Sequence, residues 1–499
     1  MEHLSYQTLE ASGYQGFLLK DAPERVLQFG EGNFMRAFVD SFIDRMNEST
    51  GFRSKVILVQ PTGRQTGGRD LAKIINDQDG LYTLYLRGFE NGEKVNQKRI
   101  ISCVSRCLNP CTDYAEVLAC ADKPELRFLT CNTTEAGIVY DPACQFTDAP
   151  PASFPGKLTQ FLYRRFRKFG AETGRGFRIL ACELIDDNGR ELEKCVLQYA
   201  RQWKLGEDFI DWVQRENTFC STLVDRIVTG YPKAEAENLN EENGYIDQLL
   251  DTGEVFGFWA IEGPEELKRE LPFAEAGLPV LITDDYKPYK QRKVRILNGA
   301  HTAMVLGAYL AGQDIVRDCM NDRVIREFMN KAIYGEIIPT LTLPEEELAD
   351  FARSVTERFQ NPFIDHALLS ISLNSTSKWK ARVMPSLLDY VEKTGKLPPC
   401  LTASLAFYIA FYHGVRLEEQ GLVGMRGDST YLIQDDRKVL EFFNAHRDDA
   451  NHALTRAVMG NTDFWGRDLT EIPGFEGAVT EYLDAIGEKG TYEVMKSLL

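Results

Sequence analysis

The chain has 499 residues, of which 43% are hydrophobic and 26% are charged, and its formal net charge at pH 7 is −17. This length favours two or three domains in an ordinary globular protein, and the acidic surplus argues against nucleic acid or an anionic membrane as a partner. A small-molecule substrate is therefore expected.

The N-terminal residues lack the basic start and apolar core of a signal peptide, and the longest apolar run, 401–412, is too short to span a bilayer. These features predict a cytoplasmic protein, whose eleven cysteines would be mostly free thiols. Cys103, Cys107 and Cys111 are spaced by four, but they form no Cys-x-x-Cys pair and no histidine lies nearby in the sequence. We therefore expect no metal site.

A strand, a glycine turn and an amphipathic helix are predicted between residues 25 and 47. Two glycines at such a junction let the backbone approach a pyrophosphate, which the helix N-terminus would stabilise. Met35 stands where the usual third glycine would be, so the glycines can also serve turn geometry alone. The candidate cofactor-binding residues here are Leu27, Gln28, Phe29, Gly30, Gly32, Asn33, Phe34, Arg36 and Ala37.

The next predicted strand, 55–60, ends where a nicotinamide cofactor would place its adenosine ribose. An acidic residue there would bind the 2′-hydroxyl, but the chain continues Gln60-Pro-Thr-Gly-Arg64. Arg64 would suit a 2′-phosphate, or the loop is simply solvated. The loop therefore leaves the choice between NAD and NADP open.

Residues 79–105 alternate like a hairpin around the Asn91-Gly92 turn signal, and 127–131 forms another short apolar strand. Small polar residues follow that second strand, at the end where an open parallel sheet binds its ligand. Thr134 and Glu135 are accordingly candidate cofactor contacts, although a plain loop would have the same composition.

Further strands are expected at 176–182, 222–228 and 255–261, and nearly all of the chain from Asp284 onward has helical periodicity. These elements predict a Rossmann-like α/β dinucleotide-binding domain at 1–277, followed by a mainly α-helical domain at 278–499.

The helix that begins near Asp284 carries Lys293, Asn298 and His301 within an arc of about 140° at 100° per residue. An amine that exchanges a proton, an amide that donates to an oxyanion and an imidazole that orients a hydroxyl suffice to interconvert a ketone and an alcohol. The alternative is that all three are ordinary polar residues on a solvated helix face.

Several motifs recur in a fixed order along nearly the whole chain. They are Gly-x-Gly-x-Phe-x-Arg-Ala at 30–37, Gln-Asp-Gly-Leu-Tyr-Thr at 78–83, Thr-Glu-x-Gly at 134–137, Asn-Gly at 188–189, Val-Asp-Arg-Ile at 224–227 and Lys-x4-Asn-x2-His at 293–301. In this order they resemble the polyol-specific long-chain dehydrogenases, the mannitol dehydrogenase family. The resemblance implies a metal-independent, NAD-linked interconversion of a keto-uronate and its aldonate.

The resemblance also implies residue roles. Lys293 would be the catalytic acid/base, and the amides of Asn188 and Asn298 would form the oxyanion hole. His301 would orient the substrate oxygen, and Asp225 would help to shape the sugar site. From the residues alone, Asn188-Gly189 reads equally as a turn and Asp225-Arg226 as a structural ion pair.

Mannitol dehydrogenases carry a glutamate one turn before the lysine, where this chain has Lys290, so a glutamate-gated proton path is in doubt. A uronate carboxylate needs a cation in a desolvated pocket, and Lys378, Lys380 or Arg382 can supply it unless these residues form a solvated face. The rival hypotheses are another substrate within the family and a non-catalytic dinucleotide sensor that uses its cysteines as redox reporters.

Overall fold

The computed structural model describes residues 1–60, 70–134, 136–170 and 172–499. The chain divides into two units, Met1–Tyr286 and Lys287–Leu499. Arg64 and Glu135 lie outside the described residues, so their predicted cofactor roles stay predictions. The boundary predicted near 278 would assign Val280–Thr283 to the second domain, but this strand pairs with Phe258–Glu262 in the sheet of the first unit.

The strands of the first unit are β1 (Glu24–Phe29), β2 (Lys55–Val59), β3 (Tyr82–Glu90), β4 (Glu93–Ile101), β5 (Val104–Leu108), β6 (Phe128–Cys131), β7 (Arg178–Ala181), β8 (Thr218–Asp225), β9 (Asp251–Glu254), β10 (Phe258–Glu262) and β11 (Val280–Thr283). Its helices are α1 (Tyr6–Ala11), α2 (Asn33–Met35), α3 (Ser41–Ser49), α4 (Leu71–Asp77), α5 (Pro110–Ala119), α6 (Phe154–Phe169), α7 (Asn188–Gln202), α8 (Glu207–Glu216), α9 (Ala236–Asn243) and α10 (Leu267–Glu270).

The main sheet has the strand order β11-β10-β8-β7-β6-β1-β2-β5 within the described residues. From β5 to β8 all neighbours are parallel, and β10 is antiparallel to β8. The chain starts at β1, builds outward to β5 and then returns to build the other half from β6. This is the doubly wound order of a Rossmann fold, and its ligand crevice lies between β1 and β6, where the order reverses.

Helices cover both faces of this sheet, which explains why its strands are apolar on both sides. In β1, Val26 joins the core on one face, whereas Leu27 and Phe29 join the core on the other. The predicted hairpin is also present: β3 and β4 pair around Asn91 and Gly92, and β9 extends them into a small second sheet.

The second unit is built mainly from helices. They are α11 (Lys287–Arg292), α12 (Gly299–Leu310), α13 (Val316–Asn321), α14 (Arg323–Asn330), α15 (Glu345–Phe359), α16 (Leu368–Ile371), α17 (Ser375–Arg382), α18 (Met384–Thr394), α19 (Pro399–Tyr412), α20 (Arg437–Ala445), α21 (Asn451–Met459), α22 (Thr462–Trp465) and α23 (Phe475–Ser497). The apolar α19 is buried along nearly its whole length and packs against α12 and α23.

Two features of this unit differ from the sequence-based expectation of almost entirely helical structure. A small antiparallel sheet joins β12 (Arg416–Leu417), β13 (Leu422–Arg426) and β14 (Ser429–Ile433). Gly427, at a φ of 57°, turns the chain between β13 and β14. The helix expected across 362–373 is reduced to the single turn of α16. Within the described residues, no helix combines the length and apolar character needed to cross a bilayer.

Candidate active site

Two glycines shape the turn between β1 and α2, and they have different roles. Gly30 has a φ of +131°, and a Cβ there would lie 3.1 Å from the Asn132 carbonyl oxygen, so the backbone itself requires glycine. Gly32 has an ordinary φ of −65°, and nothing lies within 4 Å of a Cβ built there. Open space beside the N-terminus of α2 is the cradle that a cofactor pyrophosphate needs, so the residues fit this group.

A pocket of about 360 Å³ opens at this end of the sheet and is lined by Phe34, Asn132, Thr134, Leu184 and Val224. A second pocket of about 340 Å³ shares Thr134 with it. Thr134 has a φ of 74°, a strained conformation for a non-glycine residue that is often found at ligand sites. The predicted cofactor contacts at Phe34 and Thr134 therefore lie on the walls of an open crevice.

Other predicted cofactor contacts are buried beneath this crevice. The side chains of Leu27, Phe29 and Ala37 belong to the core. The Gln28 amide nitrogen donates to the Gly30 carbonyl at 2.9 Å. These side chains shape the turn, so any cofactor contact at Leu27, Gln28, Phe29 or Ala37 would come from the backbone, and their cofactor roles stay predictions.

Arg36 is likewise a positioning residue. Its guanidinium is buried and donates to the Glu31 carbonyl at 3.1 Å, the Leu249 carbonyl at 2.7 Å and the Asn33 side-chain oxygen at 2.6 Å. Because the guanidinium nitrogens are directed at the protein, Arg36 holds the glycine turn and the exposed Asn33 in place. The sequence motif located this arginine without revealing which way it points.

At the end of β2, where an acidic residue would bind the adenosine ribose, Gln60 reaches back to the glycine turn. Its amide nitrogen donates to the Glu31 carboxylate at 3.3 Å. Burial raises the pKa of Glu31 above its usual value. Glu31 is thus an acidic side chain near the ribose position that the sequence pattern did not single out, because it comes from a neighbouring strand's loop.

The Asn188 carboxamide makes all of its hydrogen bonds to backbone groups of the protein. Its nitrogen donates to the Glu183 carbonyl at 2.9 Å and the Thr222 carbonyl at 3.1 Å, and its oxygen accepts from the Thr222 and Gly189 amides at 2.9 Å each. It therefore pairs with Thr222 as a strand residue would, although Asn188 is the first residue of α7. Both of its N–H groups are used within the protein, and the oxyanion-hole role of Asn188 stays a prediction.

Asp225 is buried at the end of β8, and Arg226 follows it. The Arg226 guanidinium donates to the Phe256 carbonyl at 2.9 Å and the Ala37 carbonyl at 2.6 Å, which connects β8 to the helix after the glycine turn. The role of Asp225 in the sugar site stays a prediction.

In the second unit, Lys293–Asn298 forms a π-helical turn between α11 and α12. A π turn contains an extra residue, so residues five apart in sequence lie nearly one turn apart along the axis. Lys293 and Asn298 therefore share one side of the helix more closely than the α-helical spacing predicts. Such turns recur at functional sites because they displace side chains from regular positions.

The two predicted catalytic side chains in this turn are accessible. Lys293 and Asn298 are both partly exposed, and the Asn298 carboxamide makes no hydrogen bond to any described residue. Its N–H groups are available to a ligand, in contrast to those of Asn188.

His301 begins the next turn, and its side chain is 7% exposed. Its ring stacks on Phe359 with centroids 3.8 Å apart and meets the edge of His366 at 5.7 Å. Burial lowers the pKa of His301 well below its usual value, and the charges of His366, Arg358, Arg382 and Lys378 lower it further. The imidazole is therefore neutral at neutral pH, and its buried Nε2 has no hydrogen-bond partner among the described residues.

Three of these neighbours, Arg358, Phe359 and His366, were not predicted from the sequence. They come from the end of α15 and the loop after it, and nothing in the local sequence distinguishes them from ordinary helix and loop residues. Of the predicted cations, Lys378 and Arg382 act on His301, whereas Lys380 lies near Gly466, with its Nζ 3.3 Å from a Cβ built there.

The cysteine cluster combines two buried thiols with one exposed thiol. Burial raises the pKa of the Cys103 and Cys107 thiols well above the usual value, which disfavours the reactive thiolate, whereas Cys111 is exposed. Within the described ranges, no group of three or more His, Cys, Asp or Glu side chains is arranged to hold a metal ion.

The model of the mannitol dehydrogenase Rossmann domain matches residues 24–274, and that of the mannitol dehydrogenase C-terminal domain matches residues 285–487. Altronate oxidoreductase of Yersinia enterocolitica is 46% identical over 491 residues, covering 97% of this chain and 98% of the relative. The Shigella flexneri enzyme of the same name is 48% identical over 483 residues, covering 95% and 97%.

Two solved structures share the fold over nearly their whole length. Pseudomonas fluorescens mannitol 2-dehydrogenase, in a ternary complex with NAD and D-mannitol, is 22% identical with a TM-score of 0.69 and 99% coverage of both chains. D-sorbitol dehydrogenase in substrate-free form is 21% identical with a TM-score of 0.79 and 96% coverage of both chains.

Proposed function

The chain belongs to the mannitol dehydrogenase family, and from that premise we propose that it is an NAD-dependent oxidoreductase that interconverts D-tagaturonate and D-altronate. The observation that carries this proposal is the 46% to 48% identity, along almost the whole chain, to relatives named altronate oxidoreductase. We further propose that it acts in the cytoplasm in the breakdown of hexuronates such as galacturonate.

The proposed cofactor is NAD. The space at Gly32, the N-terminus of α2 and the crevice at Phe34 and Thr134 support binding of a nicotinamide dinucleotide at the strand-order reversal. The carboxylate of Glu31 beside Gln60 supports a preference for a ribose hydroxyl over a 2′-phosphate, which a nearby acid would repel. A bound NADH would supply the hydride for reduction.

In the proposed mechanism, Lys293 is the acid/base. During ketone reduction its ammonium gives a proton to the substrate oxygen, and during alcohol oxidation its neutral amine takes that proton back. The Lys293 side chain is partly exposed, which supports access to substrate. Lys290, one α-helical turn earlier, stands where the family has a glutamate, so that glutamate does not gate the proton path here.

Asn298 would stabilise the negative charge that develops on the substrate oxygen. Its carboxamide is free to donate and shares a helix side with Lys293. A preorganised donor aimed at a developing oxyanion is often the largest single contribution to such catalysis. His301, neutral and with its Nε2 unpartnered among the described residues, would fix the position of a substrate hydroxyl.

Turnover of a substrate panel would test this proposal. NADH oxidation should be fastest with D-tagaturonate, slower with D-fructuronate and slowest with D-fructose, and EDTA should have no effect. Higher kcat/KM for D-fructuronate would favour fructuronate reductase as the alternative within the family, and higher kcat/KM with NADPH would contradict the cofactor choice. NADH binding without reduction of any ketone would instead favour the non-catalytic sensor.

A further inference from the structure

We propose that Arg382, supported by Lys378, forms a carboxylate-binding site beside His301 in the second unit and thereby selects uronates over neutral ketoses. This inference rests on the proposed function, because it names the substrate class of the same site. It also assigns different roles to three cations that the sequence could not distinguish, since Lys380 is excluded from the site.

Lys378 and Arg382 lie four residues apart on α17 and therefore share one helix face. Burial lowers the pKa of Lys378, and the charge of Arg382 lowers it further. Like charges at this spacing destabilise a helix. Two half-buried cations side by side therefore destabilise the protein when no ligand is bound, and a bound anion would offset this destabilisation.

Among the described residues, no acid forms an ion pair with either cation of this pair. Lys378 Nζ donates to the uncharged Ile371 carbonyl at 2.8 Å, and the Arg382 guanidinium has no hydrogen bond or ion pair with any described residue. Burial lowers the pKa of Arg382 as well. A partly desolvated guanidinium with its fork available is suited to bind a carboxylate through two parallel hydrogen bonds.

Asp435 is the acid whose charge raises the pKa of Lys378, but its carboxylate is hydrogen-bonded to other side chains. It accepts hydrogen bonds from the Thr376 hydroxyl at 2.7 Å and the Tyr412 hydroxyl at 2.6 Å. Asp435 thus holds the start of α17 in place and leaves the cations to an incoming ligand.

An independent observation points to a ligand at the same place. His301 is more than nine-tenths buried, and its Nε2 has no hydrogen-bond partner among the described residues. A buried polar atom without a partner is costly unless a ligand completes its hydrogen bond. The end of α17 packs directly against the helix that carries His301, because a Cβ built on Gly299 would lie 3.0 Å from the Arg382 carbonyl oxygen. The charges of Arg358, Arg382 and Lys378 lower the pKa of the His301 imidazole, in keeping with a positive potential around it.

The discrimination follows from the chemistry of the two substrate types. A hexuronate ends in a carboxylate where the matching ketohexose, D-tagatose, ends in a neutral hydroxymethyl group. The carboxylate would pair with Arg382, whereas the hydroxymethyl group would leave two half-buried cations uncompensated.

The test uses the full-length variants Arg382→Met and Arg382→Lys, with Lys380→Met as the matched control from the same helix. Arg382→Met should lower kcat/KM for D-tagaturonate roughly 30-fold to 1,000-fold, as expected when a charged ligand loses its partner. Turnover of D-tagatose should change less than about threefold, and the Kd for NADH should be unchanged. Arg382→Lys should recover part of the loss, and Lys380→Met should affect neither substrate. Equal losses on both substrates would overturn the proposal.

A binding measurement separates this inference from the proposed reaction. D-altronate should raise the thermal unfolding midpoint of the wild type more than neutral D-altritol does, and Arg382→Met should abolish the difference. If the wild type reduces no keto-uronate but still shows this Arg382-dependent stabilisation, the proposed reaction fails and the carboxylate site stands. If D-altronate stabilises Arg382→Met as much as the wild type, the site is refuted whatever the catalytic result.

Discussion

Substitution by alanine should lower catalytic activity at Asn298 but lower folding stability at Asn188, although both asparagines belong to family motifs. The Asn298 carboxamide makes no hydrogen bond to a described residue, so Asn298→Ala should leave the urea unfolding midpoint unchanged. Loss of one oxyanion-hole donor typically costs about 2.7 to 4 kcal/mol, which corresponds to a fall in kcat of roughly 100-fold to 1,000-fold.

Asn188→Ala should instead destabilise the first unit. It would remove the partners of three buried backbone groups, the Glu183 carbonyl and the carbonyl and amide of Thr222. Each buried group left unsatisfied costs about 1 to 3 kcal/mol, so the total loss should be on the order of 3 to 5 kcal/mol once relaxation is allowed for. The Gly189 amide keeps a second acceptor, the Ser221 hydroxyl at 3.2 Å, and adds little.

Urea unfolding followed by fluorescence, together with steady-state kinetics at a temperature where both variants are folded, would separate the two effects. An Asn188→Ala enzyme with the wild-type unfolding midpoint and a kcat as low as that of Asn298→Ala would refute the reasoning. It would mean that the Asn188 carboxamide leaves its backbone partners and donates to the substrate.

Three other predictions concern the acid/base, the cofactor turn and a buried carboxyl. Lys293→Ala should collapse kcat in both directions and keep NADH affinity, and a variant that retained the wild-type kcat would contradict the acid/base role. Gly32→Val should raise the KM for NADH without lowering stability, because its Cβ meets open space, whereas Gly30→Val should destabilise the fold because of its φ of +131°. Burial raises the pKa of Asp40 to about 7, above the value of about 3.9 in an unfolded chain. The unfolded chain therefore releases this proton first, and the folded state loses stability as the pH rises from about 4 to about 7. In Asp40→Asn, the difference between urea midpoints at pH 5 and pH 8 should shift in favour of pH 8, and an unchanged difference would contradict the assignment.

The sequence alone was sufficient for the fold class and for most elements of the first unit. The alternation around Asn91-Gly92 predicted the β3–β4 hairpin, and the glycine turn located the cofactor end of β1, because both signals depend on local backbone geometry. Periodicity also predicted the helix that carries Lys293. It did not predict β12 to β14, because a short hairpin depends on packing against neighbouring elements as well as on its own pattern.

Only the tertiary structure decided what the site residues do. Asn188 and Asn298 are both asparagines within family motifs. The Asn188 carboxamide pairs with the backbone of Thr222, whereas the Asn298 carboxamide makes no hydrogen bond to a described residue. Likewise, Lys378, Lys380 and Arg382 form one basic cluster in sequence, yet Lys378 and Arg382 lower the pKa of His301 whereas Lys380 lies against Gly466. Residue identity and spacing specify which chemical groups a chain carries. Whether a group is buried, and which residues it hydrogen-bonds or pairs with, depends on residues distant in sequence. Those distant contacts are set when the chain folds, so they cannot be read from a local pattern.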